Sequence, residues 1–190
     1  MKRAVILHGT GGSPTENWFP WLKTQLELVG YEVWVPQLPG AGRPNTRYYT
    51  DFLLSSKWDF QDNLLIGHSS GAVEILHLLQ NLPKGTTVKT AVCVAAFSEY
   101  LAKEPKWENL TELFVEPFDF PTITSKAKTI LFVHAADDPY CDPRKAEELA
   151  DAVGGKYIEL TSGGHFSAGK DPRYQTFPKL FGLLNERHLA

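Results

Sequence analysis

Apolar residues gather in short runs, most of them continuous, at residues 4–7, 32–35, 64–66, 91–96, 130–133 and 157–160. A strand with one wet face alternates apolar and polar positions. A continuous run is expected where both faces are covered, as in a parallel sheet. Between the runs the period becomes helical. Residues 16–29 place Phe19, Leu22, Leu26 and Val29 on one face and stop at Gly30, a residue suited to the left-handed turn that ends many helices. Residues 45–56, 71–82, 144–153 and 172–187 read the same way, and Gly154-Gly155 closes the helix at 144–153. Strand–helix alternation predicts an α/β fold with a mostly parallel sheet of about six strands, right-handed crossovers and helices on both faces. No repeat, low-complexity tract or linker divides the sequence, so one domain is expected over residues 1–190.

One segment departs from the alternation. Residues 98–125 carry Pro105, Pro117 and Pro121 among the aromatics Tyr100, Trp107, Phe114, Phe118 and Phe120. Long loops are commonly functional or disordered. This density of aromatic rings predicts an ordered flap with short helices, packed over something.

Composition narrows the classes. The 190 residues are 43% hydrophobic and 22% charged, with a formal net charge of -3 and scattered Lys and Arg. No basic field exists to attract nucleic acid or anionic lipid, and no run approaches the roughly 20 apolar residues that span a bilayer. The expected partner is a small-molecule substrate. Residues 4–7 are followed at once by His8-Gly9, with no signal-peptide core, so the expected location is cytoplasmic. Cys93 and Cys141 form no framework of disulfides or zinc ligands. Cys93, inside an apolar run, reads as a small buried hydrophobe.

The chemistry concentrates around Gly67-His68-Ser69-Ser70-Gly71, a G-x-S-x-G motif between an apolar strand and a helix. A serine on so tight a strand-to-helix turn projects its hydroxyl from the carboxyl edge of the sheet. Its neighbours two before and two after tolerate little beyond Gly. Ser69 is the candidate nucleophile, and the N–H of Ser70 is one expected oxyanion donor. The second is expected in the loop His8-Gly9-Thr10-Gly11-Gly12, from Thr10 or else Gly11. An acid should follow a late strand, and a histidine the last one. Asp137-Asp138 follows the run at 130–133, and Gly163-Gly164-His165 follows the run at 157–160. His165 is the candidate base. Either aspartate can hold its imidazole, the other capping a loop or helix, with Asp142 a distant third. His8, His77, His134 and His188 read as packing or solvent-facing residues.

The segments Asn17-Trp18-Phe19-Pro20-Trp21-Leu22-Lys23, Gly67-His68-Ser69-Ser70-Gly71-Ala72, Asp137-Asp138-Pro139 and Gly164-His165-Phe166 are similar to the compact serine hydrolases of the YdeN-like and retinoblastoma-binding family. The resemblance implies a reduced α/β-hydrolase fold without a large cap. It also implies that Asp138 is the acid of a Ser69, Asp138 and His165 triad. At His134 the sequence departs from the family's small residue, and a narrower pocket is expected. The L-x-C-x-E motif tied to retinoblastoma-protein binding is missing, so that partner is not carried over. Gly9, Gly11, Trp18 and His68 are the expected substrate-binding residues, with Trp18 reaching the mouth of the site.

The expected activity is carboxylesterase-like hydrolysis of small esters or amides through an acyl-enzyme, without metal or cofactor. A thioesterase and an aminopeptidase-like amidase are the rival enzymes. A binding protein that retains the scaffold without turnover is the rival outside enzymes.

Overall fold

The computed structural model describes residues 1–98 and 107–187. The part of the aromatic segment at 99–106, with Tyr100 and Pro105, lies outside the described residues, as does His188. Six strands run parallel: β1 (Lys2–Leu7), β2 (Tyr31–Trp34), β3 (Leu64–His68), β4 (Val88–Val94), β5 (Ala127–Ala135) and β6 (Lys156–Leu160). Their order across the sheet is β2-β1-β3-β4-β5-β6. The chain moves outward from β1 to β2, then back past β1 to β3 and onward. Loops leaving the carboxyl ends of β1 and β3 therefore diverge, which opens the crevice where α/β proteins place their ligands.

Among the described residues an α-helix follows each strand: α1 (Phe19–Leu28), α2 (Thr46–Ser55), α3 (Ser70–Asn81), α4 (Phe120–Lys126), α5 (Pro143–Ala152) and α6 (Pro178–Arg187). Leu22 and Leu26 of α1 pack with Leu180 and Leu184 of α6 against Ala4, Ile6, Ile66 and Val92 on one face of the sheet. The other face, with Val5, Leu65, Cys93 and Phe132, is covered by Leu53 of α2, Ile75 and Leu79 of α3, Ile123 of α4 and Leu149 of α5. The helix between β1 and β2 lies opposite the helices of the other four crossovers because that crossover runs the other way across the sheet, and both senses keep the right-handed connection. Covering on both faces is the physical reason the central strands carry continuous apolar runs. Cys93 is buried within this core, as expected of a small hydrophobe.

One expectation is corrected. Residues 172–187 form a short 3-10 turn at Pro172–Gln175 and then α6, not one helix. Thr176 is extended, and Pro178 has no N–H to donate into a preceding turn, so it starts a helix rather than continuing one. The aromatic segment contains a true helix, α4, whose N-cap Asp119 accepts from the N–H of Thr122. Upstream of α4 lie 3-10 turns at Trp107–Asn109 and Thr111–Leu113. Leu110 and Leu113 form a small core with Val73 and Phe97, against which Phe114 and Phe118 pack. His77 of α3 donates its Nε2–H to the carbonyl of Leu113 at 2.7 Å, tying this segment to α3.

Candidate active site

Ser69 stands between β3 and α3 with φ 55° and ψ -122°, a conformation that costs a non-glycine residue about 1–3 kcal/mol. The flanking glycines are explained by contact. A Cβ on Gly67 would lie 2.3 Å from the carbonyl oxygen of Gly71, and one on Gly71 would lie 2.5 Å from that of His8. Both distances are impossible for real atoms. The turn is held by its backbone, for the N–H of Ser69 donates to Val94 O at 2.9 Å and its carbonyl accepts from Ala72 N at 2.8 Å. The N-terminus of α3, with its positive dipole end, begins at Ser70 beside the Ser69 hydroxyl.

The loop after β6 brings His165 to this hydroxyl. His165 Nε2 lies 3.0 Å from Ser69 Oγ, and His165 Nδ1 lies 2.8 Å from Asp138 Oδ2. A carboxylate can only accept, so Nδ1 carries the proton and Nε2 is free to receive one from Ser69. Burial raises the affinity of the Asp138 carboxyl for a proton. The hydrogen bond and charge of His165, with the N–H groups of Tyr140 and Cys141, outweigh burial and hold it below the usual carboxylate value. Those two N–H groups reach Asp138 Oδ1 at 2.9 and 3.1 Å.

Asp137 has a different task. Its Oδ1 accepts the N–H groups of Gly163 and Gly164 at 2.7 and 2.8 Å, so it shapes the loop that carries His165 and does not meet the imidazole. Asp142 caps α5 by accepting from Arg144 N. The tryptophan expectation is corrected. Trp18 is fully buried, donating Nε1–H to the carbonyl of Phe166 at 3.2 Å with its ring edge-on to Phe177. It supports the His165 loop from behind and does not reach the mouth of the site. Asn17, quoted in the same motif but given no role, accepts the N–H of Ala168 at 2.8 Å. Its φ is 51°, in a residue type that tolerates the left-handed region. His134 is likewise corrected. It is buried behind Asp138, its Nε2 3.5 Å from Asp138 Oδ2 and 3.4 Å from the carbonyl of Cys141, and is not among the residues bordering the cavity.

A cavity of about 580 Å³ opens over Ser69 and His165, bordered by the loop with Gly9, Thr10, Gly11 and Gly12, by Gly42, and by Asn109, Leu110 and Tyr140. Sequence reasoning missed Gly42, Asn109, Leu110 and Tyr140, which come from loops that only the folded chain brings together. Thr10 Oγ1 donates to Ser70 Oγ at 3.0 Å, drawing the loop after β1 onto the start of α3. The N–H of Gly11 is engaged with Ala41 O at 2.7 Å, whereas those of Thr10 and Ser70 meet no backbone acceptor among the described residues. Gly9 clears the turn at Ser69, since a Cβ there would lie 3.1 Å from Ser69 Cβ. His8 anchors the loop: its Nδ1–H donates to Gly9 O at 2.9 Å, and its Nε2 accepts from Leu38 N at 3.0 Å. Burial lowers its pKa and keeps it neutral. Among the described residues, Asp138, Cys141 and His165 are the trio whose ligand atoms lie within 4.8 Å of one another. Their Asp–His hydrogen bond and the two N–H groups on Asp138 already occupy that geometry.

A parallel sheet in this order, a serine on a strained strand-to-helix turn and an imidazole between hydroxyl and carboxylate define the α/β-hydrolase class. The chain belongs to the serine hydrolase family, which is matched over residues 4–186. It is 27% identical over 184 residues to the protein YdeN of Bacillus subtilis (strain 168), covering 96% of this chain and 94% of that one. To the serine hydrolase RBBP9 of Rattus norvegicus it is 25% identical over 167 residues, 86% of this chain and 87% of that one. The crystal structure of the B. subtilis ydeN product superposes with a TM-score of 0.89 at 26% identity, over 98% of both chains. Est1E of Butyrivibrio proteoclasticus, solved with ferulic acid, shares the fold with a TM-score of 0.73 at 14% identity, over 100% of this chain and 90% of that one.

Proposed function

We propose that this serine hydrolase cleaves small esters or amides by acyl transfer from Ser69 to water, with His165 as general base and acid and Asp138 as the carboxylate that orients it. The observation that carries the reading is the unbroken chain from Ser69 Oγ through His165 to Asp138, at 3.0 and 2.8 Å. His165 takes the hydroxyl proton as Ser69 attacks the carbonyl, and returns it to the leaving alcohol or amine as the bond breaks. Water then attacks the acyl-enzyme with the same imidazole as base, releasing the acid and restoring Ser69. The N–H groups of Ser70 and Thr10 are the proposed oxyanion donors. Gly11 is the weaker candidate, because its N–H already has a partner.

The bordering residues set the substrate class. A cavity of this size, with Leu110, Tyr140 and Ala168 as its apolar side chains, suits a compact acyl group better than a long chain. The test is turnover of aryl-ester, thioester and aminoacyl-amide panels by wild-type protein and Ser69→Ala. The reading expects ester or amide hydrolysis that falls about 10⁶-fold in the variant. Folded wild-type protein inert on every panel would favour a scaffold used only for binding.

A further inference from the structure

His68, expected from sequence to touch substrate, is among the residues bordering the cavity, and it makes a second contact as well. It occupies the x position of the nucleophile turn, one residue before Ser69. Its Nε2 lies 2.8 Å from the backbone carbonyl oxygen of His165. A carbonyl only accepts, so Nε2 carries the proton and donates it. The ring stands 5.1 Å from that of His165, with Trp18 edge-on at 5.9 Å and Phe19 at 6.0 Å behind it. With 3% of its surface exposed, it has almost no area to offer a ligand. Burial, followed by the neighbouring His165, pushes its pKa down to about 3. The imidazole is therefore neutral, and its donor fixed, throughout the range in which a hydrolase is assayed.

The other ties on the His165 loop act on its flanks. Asp137 holds the N–H groups of Gly163 and Gly164, Trp18 holds Phe166 O, and Asn17 holds Ala168 N. Among these ties, His68 acts on the peptide of His165 itself, and it is joined covalently to Ser69. Base and nucleophile are thus linked through one side chain. Resting on the triad reading above, we propose that His68 is a positioning residue, whose Nε2–H to the His165 carbonyl sets the distance between His165 and Ser69 and thereby the rate of acylation.

Three variants test this. Gln at 68 places an amide N–H near the position of Nε2. Asn carries the same amide on a side chain too short to reach, and Leu removes the donor while retaining much of the volume. With p-nitrophenyl acetate as probe, Asn and Leu are expected to lose about 10- to 100-fold in kcat, the scale set by small misplacements of reacting groups. KM should stay within about threefold, because a side chain only 3% exposed offers substrate little contact to lose. His68→Gln is expected to return to within about fivefold of wild type, a rescue that filling the volume alone does not produce. Full kcat in His68→Asn, an equal fall in Gln and Asn, or a rise in KM at constant kcat would each overturn the proposal. If His68→Leu does not fold, the Gln and Asn pair still decides. Ser69→Ala separates the two readings: wild-type turnover in that variant refutes the triad itself, whereas its inactivity beside unimpaired His68→Asn refutes only the role of His68.

Discussion

Replacing Asp138 with Asn alters one atom's chemistry and leaves its shape. The amide oxygen can keep the two N–H bonds from Tyr140 and Cys141 at 2.9 and 3.1 Å. The amide nitrogen then faces His165 Nδ1 at the 2.8 Å now occupied by an acceptor. Turning the amide over is worse, since its nitrogen would meet two backbone donors. The imidazole must therefore shift its proton to Nε2, where it opposes the hydroxyl of Ser69 instead of accepting from it. Loss of the correct tautomer is worth roughly 10⁴ in kcat, about 5.5 kcal/mol of transition-state stabilisation. Asp137→Asn is the matched control. Its amide oxygen can still receive the N–H groups of Gly163 and Gly164, and only the charge assistance is lost, so a fall of less than about tenfold is expected. The assay is steady-state hydrolysis of an activated ester by both variants, with denaturant melts to establish that they fold. A larger fall in Asp137→Asn than in Asp138→Asn would refute the assignment of the acid.

Four further outcomes follow from the packing. Gly67→Ala should destabilise the fold by about 3 kcal/mol or more, given the 2.3 Å contact its Cβ would make. Gly182→Ala in α6, where a Cβ meets nothing within 4 Å, should stabilise it by up to about 1 kcal/mol; urea unfolding compares the two. Ser69→Gly relieves the strain at φ 55° and should raise stability by about 1 kcal/mol while abolishing turnover, as active-site strain often exchanges stability for function; a loss of stability would contradict the strain argument. Glu74 of α3 is buried between the hydroxyls of Thr46 and Thr50. Burial outweighs those hydrogen bonds and raises its pKa well above the ordinary value. The folded state then holds this proton more tightly than the unfolded chain. Its stabilising contribution is full below the unfolded pKa and is lost as pH rises toward the folded one, by at most about 1.4 kcal/mol per unit. Glu74→Gln should flatten that decline between acid and neutral pH, and an unchanged pH profile of stability would contradict it.

What the sequence revealed and what it hid have separate physical causes. β3 and β4 announce themselves because both faces are covered along residues 64–66 and 91–94, where every position is apolar. β5 begins three residues before its apolar run, at Ala127, because Lys128 and Thr129 lie where the sheet is less covered. Gly67 and Gly71 were legible as glycines of a tight turn, since the motif fixes their spacing to Ser69. The choice between Asp137 and Asp138 was not decided by spacing, because both adjoin the same strand end and only the third dimension separates an imidazole from two glycine N–H groups. Trp18 misled for a related reason. Periodicity shows that an aromatic lies near the start of α1 but not whether its ring faces the cavity or the back of the His165 loop. Gly42, Asn109 and Tyr140 border the cavity through contacts between distant loops, which no local pattern encodes.

The most direct measurement is covalent labelling with a fluorophosphonate followed by peptide mapping. A hydroxyl activated through His165 and Asp138 predicts one adduct per chain, on Ser69, that disappears in Ser69→Ala. Well-folded protein that takes no label, or carries it on Ser70 or another residue, would contradict the account.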